Sequence, residues 1–121
     1  MRAHSGAPTQ WLIGTWRSDR ERTIREWRSC PPGSKQFQEL LLRDLGKLTV
    51  RYTERRTQSS VDARGRWTTY RVVWHSAASA FIVYGPKRQE SGLLVNFVSP
   101  TEYWVHAGRY VEYFTKFEAA A

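Results

Sequence analysis

The chain has 121 residues, 40% of them hydrophobic and 25% charged, with a formal net charge of +8 and a single cysteine. This length fits one domain, able to bury roughly two-thirds of the surface its unfolded form exposes without a metal or disulfide staple. One cysteine excludes an intramolecular disulfide, and no apolar run approaches the length a membrane-spanning helix needs.

Met1 to Gln10 holds no apolar stretch of the signal-peptide kind, so the cytoplasm is the expected location. Residues 1–9 and 119–121 read as flexible ends of one domain spanning 1–121. Ala7 to Gln10 reads as a loop leading into Trp11-Leu12-Ile13-Gly14-Thr15-Trp16, a short apolar segment suited to a strand. Ser18-Asp19-Arg20-Glu21 has the form of a capping box, in which the Ser hydroxyl accepts from the third N–H of a helix and the Glu reaches back. A helix is therefore predicted from Asp19 to about Arg28, with Thr23, Ile24 and Trp27 on one face. Pro31-Pro32-Gly33 ends it, because proline cannot continue the backbone ladder. Ser34 caps a second predicted helix, whose Phe37, Leu40, Leu41 and Leu45 share a face. Gly46 stands where a left-handed terminating residue is wanted.

After Gly46 the period becomes two. Leu48, Val50 and Tyr52 alternate with Thr49, Arg51 and Thr53, the pattern of a half-buried strand. Gln58 to Gly65 is polar and reads as a turn. Further strands are predicted from Arg66 to His75, Ala80 to Tyr84, Leu93 to Val98, Glu102 to His106 and Arg109 to Glu118, with Gly85-Pro86, Ser99-Pro100 and Gly108 as turn signals. Five or six strands at hairpin spacing make an antiparallel meander, and closing it into a barrel removes its exposed edges. The expected fold class is mainly β (α+β): an antiparallel up-and-down barrel with two short helices between its first and second strands.

Gly14-Thr15-Trp16 near the start of such a meander resembles the G-x-W signature of the lipocalin, or calycin, superfamily. The resemblance implies that Trp16 lies across the closed end of a barrel, packed against a basic side chain of the last strand. Arg109 and Lys116 are the candidates, with Tyr113-Phe114-Thr115-Lys116 the better match in position. The helical pair is similar to the lid of fatty-acid-binding proteins, which belong to the same superfamily.

Six Trp, six Tyr and five Phe are many rings for a chain of this size. Tyr52, Tyr70, Trp74, Tyr84, Asn96, Trp104, His106, Glu112 and Tyr113 carry polar handles on predicted strands, most of them on ring bodies, and they are the candidate lining of an apolar ligand cavity. Parity along the strands leaves open which of them face inward, and simple packing is the commoner fate of any single ring. No histidine pair has metal-ligand spacing, and no nucleotide or cofactor motif is present. His106 and Glu112 could form an acid–base pair across a hairpin, although a pair without catalysis is the commoner case. Cys30 falls at a helix C-terminus, where thiolate formation is disfavoured.

Arginines 17, 20, 22, 25 and 28 are interleaved with Asp19, Glu21 and Glu26, which favours a solvated helix face over a phosphate site. Arg51, Arg55 and Arg56 beside Tyr52 form a second basic cluster with a ring suited to stacking on single-stranded nucleic acid. The leading expectation is a non-enzymatic binder of a small apolar or amphipathic molecule, with an anionic group drawn by the net charge. A homodimeric interaction module, a small barrel enzyme and a nucleic-acid binder follow in that order.

Overall fold

A computed structural model describes residues 7–27, 31–61, 64–108 and 110–117. Eight antiparallel strands close into an up-and-down barrel in sequence order: β1 (Gly14–Ser18), β2 (Thr49–Tyr52), β3 (Arg56–Ser60), β4 (Trp67–His75), β5 (Ser79–Tyr84), β6 (Ser91–Ser99), β7 (Glu102–Ala107) and β8 (Tyr110–Phe117). Closure runs through β1 and β8, where Thr15 to Ser18 pair with Phe117 to Phe114. Among the described residues the α-helices are α1 (Ala7–Leu12), α2 (Arg20–Trp27) and α3 (Lys35–Asp44), so the predicted helical pair does separate β1 from β2.

Two segments differ from expectation. Residues 7–10 belong to α1 rather than a loop, and α1 packs against β4 and β5 across one end of the barrel. Arg56–Ser60 is a strand where Gln58 to Gly65 read as a turn. Its sequence, RTQSS, has no apolar alternation because Thr57 and Ser59 face a polar part of the interior.

The α2 cap is also shifted by one residue. Ser18 still belongs to β1, and Asp19 Oδ1 accepts the Arg22 N–H at 3.1 Å, while Thr115 Oγ1 donates to Asp19 Oδ2 at 2.9 Å. For α3 the expected cap is present: Ser34 Oγ accepts from the Phe37 N–H at 3.2 Å. Its end is built by Leu45, whose N–H reaches Leu41 O at 2.9 Å, followed by Gly46 at φ +93°. Arg20 crosses beneath Gly46 and donates to Leu42 O and Leu45 O at 2.8 and 3.2 Å, so its side chain occupies the space a Cβ at 46 would need. The apolar face of α3 is only partly covered, with Leu40 exposed and Leu45 buried.

Beyond the stretch paired with β1, β8 has no strand neighbour on that side, and α2 takes that place. The Asp19 N–H donates to Tyr113 O at 2.7 Å, and the Tyr113 N–H donates to the buried Thr23 Oγ1 at 2.9 Å. Both backbone groups of Tyr113 are thus satisfied without a ninth strand, which answers the rule that buried peptide groups must be paired.

Inward-facing side chains follow the two-residue period. Val50 and Tyr52, Ala80 and Ile82, Val95 and Phe97, and Tyr103 and Val105 are buried in one cluster with Trp16 and Phe114. Among the described residues, no helix is long and apolar enough to cross a membrane.

Candidate functional site

The two ends of the barrel are built differently. At the end under α1, Trp16 is fully buried and its Nε1 donates to Leu12 O at 2.8 Å. Around it lie Tyr103 and Phe97, with ring centroids 4.5 and 6.1 Å away, and Trp11 meets Phe97 edge-on at 5.4 Å. Lys116 Nζ stands 4.9 Å from the Trp16 ring centroid and donates to Trp11 O and Ile13 O at 2.7 and 3.1 Å. Its stem runs over Gly14, where Cε would lie 3.3 Å from a Cβ, and Gly14 has φ +139°. The Gly-Thr-Trp triplet therefore has a physical reading here: the glycine lets the lysine pass and the tryptophan receives its charge. Arg109, the other basic candidate, lies outside the described residues, as do His4, Arg28 and Cys30.

Toward the opposite end the interior residues become smaller, and a cavity of about 230 Å3 remains. Its walls are Leu48, Val50, Ile82, Leu93, Val105 and Phe114, and its polar groups include Tyr52, Thr57, Tyr103 and Glu112. Tyr52, Thr57 and Tyr103 are all buried on this wall. Burial is the main cause that pushes both phenols well above their ordinary range, so both remain neutral hydroxyls. Glu112 Oε2 accepts from Ser18 Oγ at 2.6 Å and Oε1 from Tyr110 Oη at 3.3 Å. Burial, and after it the Glu112 charge, pushes Tyr110 up to about 12.

The candidate lining residues separate. Tyr52 and Tyr84 line the cavity, and Tyr70 packs edge-on against Tyr52 at 5.3 Å while donating to Thr53 O at 2.6 Å. Trp74 points outward, because a bulge between Val72 and Trp74 shifts the register and reverses the parity of the strand. Tyr70 and Val72 pair with inward Tyr84 and Ile82, whereas Trp74 pairs with Phe81 on the outer face. Asn96 and Trp104, paired with each other, alternate with inward Phe97 and Tyr103 and so lie outside. Tyr113 is also outside, covered by α2, with Arg22 stacked 4.4 Å over its ring and Glu26 accepting its hydroxyl at 3.2 Å.

His106 borders the cavity mouth, but its ring is exposed and meets Trp104 edge-on at 5.5 Å. Val105 pairs with Glu112 and His106 with Val111, so the imidazole and the carboxyl lie on opposite faces of the sheet and the expected acid–base pair does not form. Glu112, also a candidate lining residue by sequence, does stand on the cavity wall. Strand parity agrees: if Lys116 reaches Trp16 inside the barrel, Glu112, four residues earlier on the same strand, must face inward too.

The basic clusters are partly engaged. Arg22 pairs with Glu102 at 3.0 Å, Arg17 stacks 4.6 Å over Phe117, and Arg51 donates to Gln58 Oε1 at 2.9 Å. Tyr52 is buried, so the ring near Arg51, Arg55 and Arg56 that is open to solvent is Trp67, across a shallow depression of about 670 Å3. Among the described residues no group of three His, Cys, Asp or Glu side chains is placed to hold a metal. Neither a family model, nor a curated protein, nor a solved structure matches the chain.

Proposed function

We propose that this protein is a lipocalin-like, cytoplasmic binder of a small apolar or amphipathic molecule, held in the cavity between Leu93 and Phe114. The observation that carries the reading is an apolar cavity with a few convergent polar groups, at one end of a barrel whose other end is packed solid. Size narrows the ligand. A dry apolar cavity of about 150 Å3 accepts benzene, so about 230 Å3 suits one ring with a short substituent and is too small for a long acyl chain. The lone cysteine fits a reducing compartment. The lipocalin likeness rests on Gly14, Trp16 and Lys116 and on the closed meander.

Native mass spectrometry of freshly purified protein reads a retained ligand and the subunit count together. Toluene should raise the melting temperature saturably, since a ligand that binds only the folded state stabilises it by about 2.7 kcal/mol at a hundred times Kd. Leu93→Trp, which places a ring in the cavity, should abolish that shift. A shift unchanged in Leu93→Trp would place the toluene elsewhere and end the cavity reading.

A second reading, self-association, is favoured by the outer face of β4 to β6. Val73, Trp74, Leu94 and Val98 are 48, 53, 40 and 52% exposed there. A dimer on this face would dissociate on dilution and would be weakened by Trp74→Ser. A monomer at all concentrations would dismiss it.

A further inference from the structure

The cavity reading leaves the polar end of the ligand undefined, and Glu112 supplies a constraint on it. Glu112 is 7% exposed and stands on the cavity wall. Both its oxygens accept hydrogen bonds, from Ser18 at 2.6 Å and from Tyr110 at 3.3 Å. The first of these bonds is oriented from outside the cavity. Ser18 Oγ itself accepts the Gly46 N–H at 3.2 Å, so its single proton is directed to Glu112. Helix α3 and its terminating glycine thereby hold the carboxyl in place.

A carboxylate offers about four lone-pair positions, and Ser18 and Tyr110 occupy two. Among the described residues Glu112 has no ion pair with a Lys, Arg or His. Val105, its cross-strand partner, and Leu48 and Phe114 on the same cavity wall have no side-chain donor to offer, while the Tyr103 hydroxyl on that wall is close enough to feel the Glu112 charge. Acceptor capacity thus remains at an apolar surface, where a polar group without a partner is costly.

Resting on the cavity reading, we propose that the ligand carries a hydrogen-bond-donating head group, an amine or a hydroxyl, that seats on Glu112, and that ligands ending in a carboxylate are rejected. This reverses the expectation drawn from net charge. The +8 charge acts through solvent and is screened beyond about 8–10 Å, whereas a ligand anion in the cavity would meet Glu112 at contact, in a poorly screened wall.

The test uses the full chain and four probes of matched shape: ethylbenzene, 2-phenylethanol, 2-phenylethylamine and phenylacetate, titrated calorimetrically at neutral pH. The alcohol and the amine should bind roughly ten- to a hundredfold more tightly than ethylbenzene, as hydrogen bonds to charged groups allow. Phenylacetate should bind at least about tenfold more weakly than ethylbenzene. Glu112→Gln should remove most of the amine's advantage over ethylbenzene, read as the ratio of the two affinities in the same variant. If Glu112→Gln fails to fold, the ranking of the four probes on the native chain decides alone. Failure of ethylbenzene to bind would overturn the cavity reading and this inference together. Binding of ethylbenzene with phenylacetate equal to or tighter than the amine would overturn the head-group assignment and leave the cavity standing.

Discussion

The same eight strands make a filled interior at one end of the barrel and a void at the other. Under α1, Trp16, Phe97, Tyr103 and Trp11 interlock edge to face, and both Trp16 Nε1 and Lys116 Nζ are satisfied by carbonyls of the α1 segment. At the opposite end the inward positions are Leu48, Ser59, Leu93, Ala107 and Glu112, too small to meet across the barrel. Strand pairing surrounds both regions apart from Tyr110 to Tyr113, where α2 takes the place of a strand, and this covered gap does not account for the void. Side-chain volume does: a protein interior is close-packed only where the residues suffice to fill it. The closed end is thus the stabilising half and the open end the half free to accept a ligand.

Truncations should separate the halves most sharply. Trp16→Ala is expected to cost about 3–5 kcal/mol, as for other large aromatic truncations in a filled core. Leu93→Ala should cost about 1–2 kcal/mol, below the usual range for a filled core, because it enlarges an existing void. Urea midpoints of the two variants measure the difference. Equal losses would mean that the two ends are packed alike.

The seam where α2 replaces a strand comes next. Thr23→Val keeps the shape of a fully buried residue and removes the acceptor of the Tyr113 N–H. An orphaned buried donor of this kind costs about 1–3 kcal/mol. Amide exchange at Tyr113 should accelerate in the same variant. An unchanged midpoint with unchanged exchange would show that α2 does not serve as the missing strand.

Tyrosine ionisation separates fully buried hydroxyls from a half-buried one. Tyr52, Tyr103 and Tyr110 all have folded-state values raised above the ordinary 10, by burial first. Above pH 10 the unfolded chain therefore loses protons that the folded chain retains. The stability these groups contribute is complete below pH 10 and falls as pH rises from 10 toward the folded values, by about 1.4 kcal/mol per pH unit for each fully buried tyrosine. The half-buried Tyr110 should titrate near 12 in the folded protein, while Tyr52 and Tyr103 should ionise only with unfolding. Absorbance at the phenolate band, followed beside circular dichroism, separates the two events. Ionisation of Tyr52 or Tyr103 before the loss of structure would contradict the burial of both hydroxyls.

Much of this division was legible in the chain. The alternation from Leu48 onward and the turns at Gly85-Pro86 and Ser99-Pro100 indicate a closed meander, and Ser34 and Gly46 mark both ends of α3. Gly14, Trp16 and Lys116 point to the packed end. What stayed hidden has identifiable causes. The β3 strand has no apolar alternation because its inward side borders the polar part of the cavity. At six residues, α1 is too short for a helical period to register. One bulged residue at Val73 sends Trp74 to the outer face, and no local feature of Arg71-Val72-Val73-Trp74 announces it. The cavity itself arises from the sum of small side chains on strands distant in sequence, which no single-strand pattern carries.

Methyl-resolved NMR during a toluene titration tests the central claim most directly, because the two faces of the barrel carry separate reporters. Val50, Ile82, Leu93 and Val105 line the cavity, while Val73, Leu94 and Val98 lie on the exposed outer face. The account predicts saturable shifts at one site per chain, confined to the first set and absent from the second. Shifts confined to Val73, Leu94 and Val98, or no saturable shifts at all, would contradict a ligand site inside the barrel.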